Sequence, residues 1–187
     1  MALQLPIVKV TLCSHLKGVK PGELPNELLR PIEGKGKLHH CAADAYEAMD
    51  AAANAEGIDL SPTSQADTYR SLETQEYGFY QRHTDNPNKK LLKQKPRIYK
   101  GKAWYLKKGM APMAAPIDDI ANGSARGSRH LYGIAIDVAN ASGPILEWLL
   151  KNEEQFGFSH EVLGDSNGKG AEPWHLRLTD PSKVQDA

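Results

Sequence analysis

Two short stretches of this chain concentrate side chains able to bind a metal and move protons. The first is Ser128–Arg129–His130–Leu131–Tyr132–Gly133–Ile134–Ala135–Ile136–Asp137, and the second is Glu172–Pro173–Trp174–His175. Asp137 sits in an otherwise apolar run, where a carboxylate is costly unless it is paired or bound to a metal. His130 lies seven residues earlier, so on an unbroken strand the two would face opposite sides. Gly133 permits a bend that could bring them together, which places His130 in the turn entering the strand. Pro173 cannot donate to a ladder, so Glu172 is expected just outside the strand that carries His175. Two histidines and one carboxylate leave a fourth zinc position open for water, as hydrolytic zinc sites require. Zinc would lower the pKa of that water and polarise a carbonyl. Glu172, three residues from His175, could take up the proton and pass it on. On spacing alone, a buried aspartate paired with a histidine for structure is the better reading.

The elements that must position these residues are legible in outline. Ile134, Ile136 and Val138 alternate with Gly133, Ala135 and Asp137, which predicts a strand with one apolar face. Ser142–Gly143–Pro144 reads as an N-cap with Pro in the first turn of a helix carrying Ile145, Trp148 and Leu149, closed by Gly157. Phe158–Leu163 and Trp174–Leu178 are expected strands, with Gly164–Gly170 as the small polar tip between them. His175 and Arg177 would share one face of the last strand. Upstream, Leu38, Cys41, Ala42, Ala45, Met49 and Ala52 recur at helical spacing, predicting a helix over Leu38–Glu56 that stops at Gly57. A short strand is expected around Ile58–Leu60, and a helix in the second half of Thr68–Gln81. The first 37 residues, rich in Pro and Gly, read as an arm wrapping the domain. Residues 84–127 read as a long irregular insert, a length usually tied to function. One α+β domain over 1–187 is the expected architecture, with helices packed on a small, mostly antiparallel sheet.

The 187-residue length suits one domain with a real core. No apolar run reaches the roughly 18 residues a membrane span needs, so no membrane insertion is expected. Met1–Val19 lacks the basic start and long apolar stretch of a secretory signal. Cys13 and Cys41 are too few for a disulfide framework and read as two free thiols in a chain made in the cytoplasm, although one bridge between them stays open. The formal net charge is zero, yet nine Lys or Arg and no Asp or Glu lie between Asn86 and Ile117. That stretch suits either an anionic polymer or a solvated loop. No nucleic-acid recognition motif accompanies it, and none is expected as a partner. His39 and His40 are adjacent and expected on a helix surface, His15 and His83 in exposed loops, and His160 in a strand that could approach the site.

Ser128-x-His130-x-x-Gly133-x-Ala135-x-Asp137 followed by Glu172-Pro173-Trp174-His175 resembles the paired signature of the VanY-like D-alanyl-D-alanine carboxypeptidases, the M15 zinc peptidases. That group shares its metal site with vancomycin-resistance dipeptidases and the hedgehog signalling domain. Tyr69–Arg70–Ser71 with Gln75 resembles a third family element, so the likeness spans about residues 69–177. It implies one zinc ion on the sheet held by His130, Asp137 and His175, with Glu172 as general base and then acid. Arg70 would stabilise an oxyanion or hold a substrate carboxylate. Ser128 would contact substrate, Gln75 would support Arg70 or the substrate backbone, and Trp174 would pack beneath the site.

The approach Ile117–Gly127 departs from the short Pro- and Gly-containing segment usual in the family. Trp104–Pro112 resembles the inserted segment of phage-encoded lytic members, notably from phages of actinobacteria. The implied substrate is a peptidoglycan stem peptide, cut as an L-Ala–D-Glu or crosslink endopeptidase or as a D,D-carboxypeptidase. The enzyme would act on the bacterial cell wall after release by a holin or delivery on a virion. The competing expectation is a non-catalytic phage tail or wall-binding module retaining the fold. The oligomeric state is not encoded in any of these motifs.

Overall fold

The computed structural model describes residues 13–33, 35–86, 95–116, 128–160 and 172–184. Its architecture is α+β. Among the described residues, three α-helices accompany three small antiparallel sheets: α1 (His40–Ala55), α2 (Leu72–Arg82) and α3 (Pro144–Asn152). The strands are β1 (Leu29–Pro31), β2 (Lys37–His39), β3 (His83–Thr84), β4 (Arg97–Tyr99), β5 (Lys102–Leu106), β6 (Ala135–Asp137), β7 (Phe158–His160) and β8 (His175–Leu178).

The central sheet has the order β6-β8-β7. Its register sets Asp137 opposite His175, Ala135 opposite Arg177, and Ser159 opposite Arg177. Side chains alternate along a strand, so these residues share one face of the sheet. Ile136, Leu176, Phe158 and Leu178 take the other face and enter the core. Helix α1 supplies Ala42, Ala45, Tyr46, Met49 and Ala53 to the same core, a spacing that lines one helical face. Each fully buried Leu, Met or Phe there stabilises the fold by roughly 1.5–3 kcal/mol of transfer energy. The small residues Ala42, Ala43 and Ala45 are fully buried and let the helix backbone approach its neighbours.

Helix α1 starts two residues later than its apolar spacing implies, because Leu38 and His39 belong to β2. Its cap is His39, whose Nδ1 accepts the Cys41 N–H at 3.3 Å. Gly57, at φ +78°, closes the helix as expected. No strand forms at Ile58–Leu60; Leu60 instead enters the core and Pro62 bridges Val138. The arm is also more ordered than its Pro and Gly content implies, since Leu29–Pro31 pairs with Lys37–His39. Helix α3 is preceded by Gly143 rather than capped by the Ser142 side chain, with Pro144 opening its first turn. The strand expected over Phe158–Leu163 runs over Phe158–His160, and the expected tip Gly164–Gly170 lies outside the described residues.

The insert holds a larger correction. Residues 97–106 form a hairpin rather than irregular chain, with Arg97 opposite Trp104 and Tyr99 opposite Lys102. Its turn is Lys100–Gly101, both at positive φ (48° and 71°), the conformation a two-residue hairpin favours. Lysine at the first turn position lacks the Asn or Asp that usually signals such a turn, and the charged strand ends obscure the alternation. The hairpin extends through β3 and packs on α2 through Phe79, Tyr80, His83, Tyr99 and Trp104. Phe79 stacks on His83 at 4.3 Å between ring centroids, and Tyr80 meets Trp104 at 4.8 Å. His83 is therefore buried rather than exposed.

Candidate metal centre

Residues Arg129–Tyr132 form a short 3-10 turn that ends at Gly133, φ +63°. Glycine is required there twice over. Its backbone is left-handed, and a Cβ would come within 2.7 Å of the His39 backbone nitrogen. That nitrogen donates to the Gly133 carbonyl at 2.9 Å, so the start of α1 buttresses the turn. The turn points His130 back toward the strand it precedes, which is the bend expected from Gly133.

His130, Asp137 and His175 converge so that one ligand atom of each lies within 4.8 Å of the others. His130 Nε2 is 3.4 Å from Asp137 Oδ2, and His175 Nδ1 is 2.7 Å from Asp137 Oδ1. Sheet register accounts for the second contact, because Asp137 and His175 are directly paired. The first is fixed from behind. His130 Nδ1 lies 2.8 Å from the Thr68 carbonyl, and a carbonyl only accepts, so Nδ1 carries the proton and Nε2 presents its lone pair. Orienting one ring nitrogen through the other is how proteins prepare a metal-binding histidine.

Electrostatics favour the same use. Burial alone would raise the Asp137 carboxyl, but its contacts with the His130 and His175 rings outweigh it and hold the group below the usual carboxylate range. Burial pushes the pKa of His130 down, against the pull of Asp137, which keeps the imidazole neutral and able to donate a lone pair. Two nitrogens and one carboxylate oxygen form a donor set suited to zinc with a further position open.

The flanking residues are placed by the same framework. Glu172 begins the turn into β8, and its carbonyl accepts the His175 N–H at 3.0 Å. Arg70 is buried. Its backbone N–H donates to the His130 carbonyl at 3.0 Å, its Nε to the Ala66 carbonyl at 2.8 Å, and its Nη1 to Gln75 Oε1 at 2.7 Å. Burial lowers the Arg70 pKa while the carboxylates of Asp137 and Asp67 oppose that shift. Gln75 is 0% exposed, and its amide nitrogen donates to the Ala114 carbonyl at 2.8 Å. Both ends of Gln75 are thus committed to holding Arg70 and the insert. Ser128 is buried at the entrance to the 3-10 turn. Trp174 is 43% exposed and does not pack beneath the site, because the turn before β8 directs it outward.

Two residues matter here that no motif indicated. His160 is buried, engages Glu153 through Nδ1 at 2.9 Å, and donates from Nε2 to the Pro173 carbonyl at 2.8 Å. It holds the Glu172–His175 turn from below, a role that only the paired strands reveal. Arg97, on β4, lies within electrostatic reach of the Glu172 carboxylate, which opposes the lowering of its pKa by burial. Its only sequence signal was membership of the basic stretch.

A model of the VanY family, described as D-alanyl-D-alanine carboxypeptidase, matches residues 35–180. Among solved structures, the chain resembles the LdcB LD-carboxypeptidase at 21% identity and TM-score 0.54, over 89% of this chain and 74% of that one. It resembles a Glu-to-Ala variant of the vancomycin-resistance D,D-pentapeptidase VanY in complex with Zn(II) at 18% identity and TM-score 0.51, over 89% and 86%. VanYB in complex with D-alanine-D-alanine aligns at 17% identity and TM-score 0.52, over 84% and 80%. At these identities the structures establish a common fold. A search of curated protein sequences gave no significant match. With the family match running through every element of the centre, the chain belongs to the VanY family of D-alanyl-D-alanine carboxypeptidases.

Proposed function

We propose that this chain is a zinc-dependent peptidoglycan peptidase acting on stem peptides, and that its first activity is removal of a terminal D-alanine. The observation carrying this reading is the convergence of His130 Nε2, Asp137 and His175 Nδ1, with His130 oriented by the Thr68 carbonyl. These three residues would hold the ion. When bound, zinc supplies a Lewis acid that polarises the scissile carbonyl and makes water acidic.

The protein's own side chains do the rest. Glu172 takes the proton of the attacking water and delivers it to the leaving amine, so one carboxylate serves both steps. Arg70, locked by Ala66 and Gln75, presents a fixed cation for the oxyanion or for the substrate carboxylate. A preorganised donor of this kind contributes about 2.7–4 kcal/mol to the transition state. Ser128 contacts substrate at the mouth of the turn. Arg97, which feels the charge of the Glu172 carboxylate, would add a second cation for a substrate carboxylate. Support for the wall as target comes from the family and from fold neighbours that bind D-alanine-D-alanine or are named carboxypeptidases.

A second reading, an endopeptidase of phage lytic origin, draws on the folded β4–β5 hairpin and its likeness over Trp104–Pro112 to lytic members of the family. The intact donor set and Glu172 speak against a purely wall-binding module. Incubation with purified muropeptides ending in D-Ala-D-Ala, followed by mass spectrometry, separates these readings. Loss of a single D-alanine supports the carboxypeptidase. Cleavage within the stem with the terminal residue retained supports the endopeptidase, and an unchanged spectrum from zinc-loaded protein overturns both.

A further inference from the structure

A second cluster of metal-binding side chains lies on the far side of the His39–Gly133 contact. It joins the arm to the first turn of α1. Cys13, His15 and His39 present ligand atoms within 4.8 Å of one another, and so do His15, His40 and Cys41. Cys13 Sγ is 3.2 Å from His15 Nδ1 and Cys41 Sγ is 3.6 Å from His40 Nδ1, and His15 is common to the two triads. The rings of His15 and His40 are 4.7 Å apart. Zinc–nitrogen and zinc–sulfur bonds at tetrahedral angles set the N···S edge at about 3.6 Å, which these contacts approach.

His39 provides an independent sign. It is 0% exposed, and its Nδ1 is occupied in capping α1, yet its Nε2 has no hydrogen-bond partner. A buried ring N–H left this way is costly. The rings of His40 and His15 stand 4.3 and 6.1 Å away, so the residue is packed into the cluster. An anionic thiolate beside it would provide the missing acceptor, and a thiol becomes a thiolate when it coordinates a metal.

We propose that Cys13, His15, His40 and Cys41 form a second, structural zinc site, with His39 Nε2–H supporting its thiolates. Two sulfurs and two imidazoles are a donor set that favours zinc among the common divalent ions and leaves no position for substrate. The ion would tie the arm to the start of α1, whose preceding residue donates to the Gly133 carbonyl behind the catalytic turn. His39 is buried rather than on the helix surface, while both cysteines are free thiols, as expected.

The test is zinc content and cobalt spectroscopy on the full chain prepared under reducing conditions. Wild-type protein should carry two zinc ions, and Cys13→Ser/Cys41→Ser and His175→Ala should carry one each. After cobalt exchange, wild-type and His175→Ala should show the near-ultraviolet sulfur-to-cobalt charge-transfer band. The first centre contains no sulfur and cannot produce it, so this result is independent of the catalytic reading. If the double variant fails to fold, the wild-type spectrum alone decides. A single zinc per wild-type chain without the charge-transfer band would overturn the proposal. So would a Cys13–Cys41 disulfide whose reduction leaves zinc uptake unchanged.

Discussion

The two histidine-containing clusters meet across one backbone hydrogen bond, His39 N–H to Gly133 carbonyl, yet they are built differently. At His130, Asp137 and His175 the donors are set by sheet register and by a carbonyl behind the first ring. At Cys13, His15, His40 and Cys41 they come from an arm and from one helix end, with no strand pairing between them. A catalytic centre has to hold its geometry while leaving a position for substrate, and rigid strands provide that. The second cluster, with the four donors we propose for one ion, would itself supply the rigidity. The contrast teaches that metal-capable side chains close in space can serve opposite ends: one framework positions its donors, whereas in the other the donors complete the framework.

The largest effect expected from this contrast is at Asp137. Asp137→Ala removes the carboxylate that both histidines face, so peptidase activity should fall below detection, while the charge-transfer band of the cobalt-exchanged second cluster persists. Loss of that band along with activity would mean the two clusters fold as one unit. A smaller effect is expected at His160, which touches neither proposed ion but holds the Pro173 carbonyl. His160→Ala should lower kcat/KM by about 10–100-fold, the range seen for outer-shell partners. Steady-state kinetics at full zinc occupancy would check this.

The gentlest probe is pH. Burial, with His40 and His15 nearby, brings the pKa of His39 down to about 4, against about 6.5 in an unfolded chain. The unfolded state therefore binds the proton more readily, and stability falls as pH drops from about 6.5 toward 4. In chelator-treated protein, the urea midpoint should decline across that window, and His39→Gln should flatten the decline. An unchanged slope in the variant would remove His39 as its origin.

The metal-capable centre was legible mainly through the family resemblance of its two motifs, with local backbone constraints in support. A carboxylate in an apolar strand, a glycine at the bend and a proline before the last strand each limit the backbone through sterics or lost hydrogen bonds. The helices were legible for a similar reason, with apolar residues recurring at one helical face and Gly57 and Pro144 marking ends. What escaped depends on contacts between distant segments. The β4–β5 hairpin turns at Lys100–Gly101 and gains its burial from Phe79 and Tyr80 on α2, so its own charged sequence resembles a solvated loop. His39 follows the same logic: it precedes a helix and looks exposed until the arm and Gly133 close over it. Arg97 and His160 matter through the turn before β8, which no spacing along one chain segment reveals.

The central claim is that Glu172 moves protons at a zinc centre it does not help to hold. The direct measurement is muropeptide hydrolysis by wild-type and Glu172→Gln proteins, each with its zinc content determined on the same sample. Zinc content should be equal in both, and the rate should be lower by about 10²–10⁴-fold in the variant, the range for loss of a general acid–base. Equal rates at equal zinc content would contradict the claim.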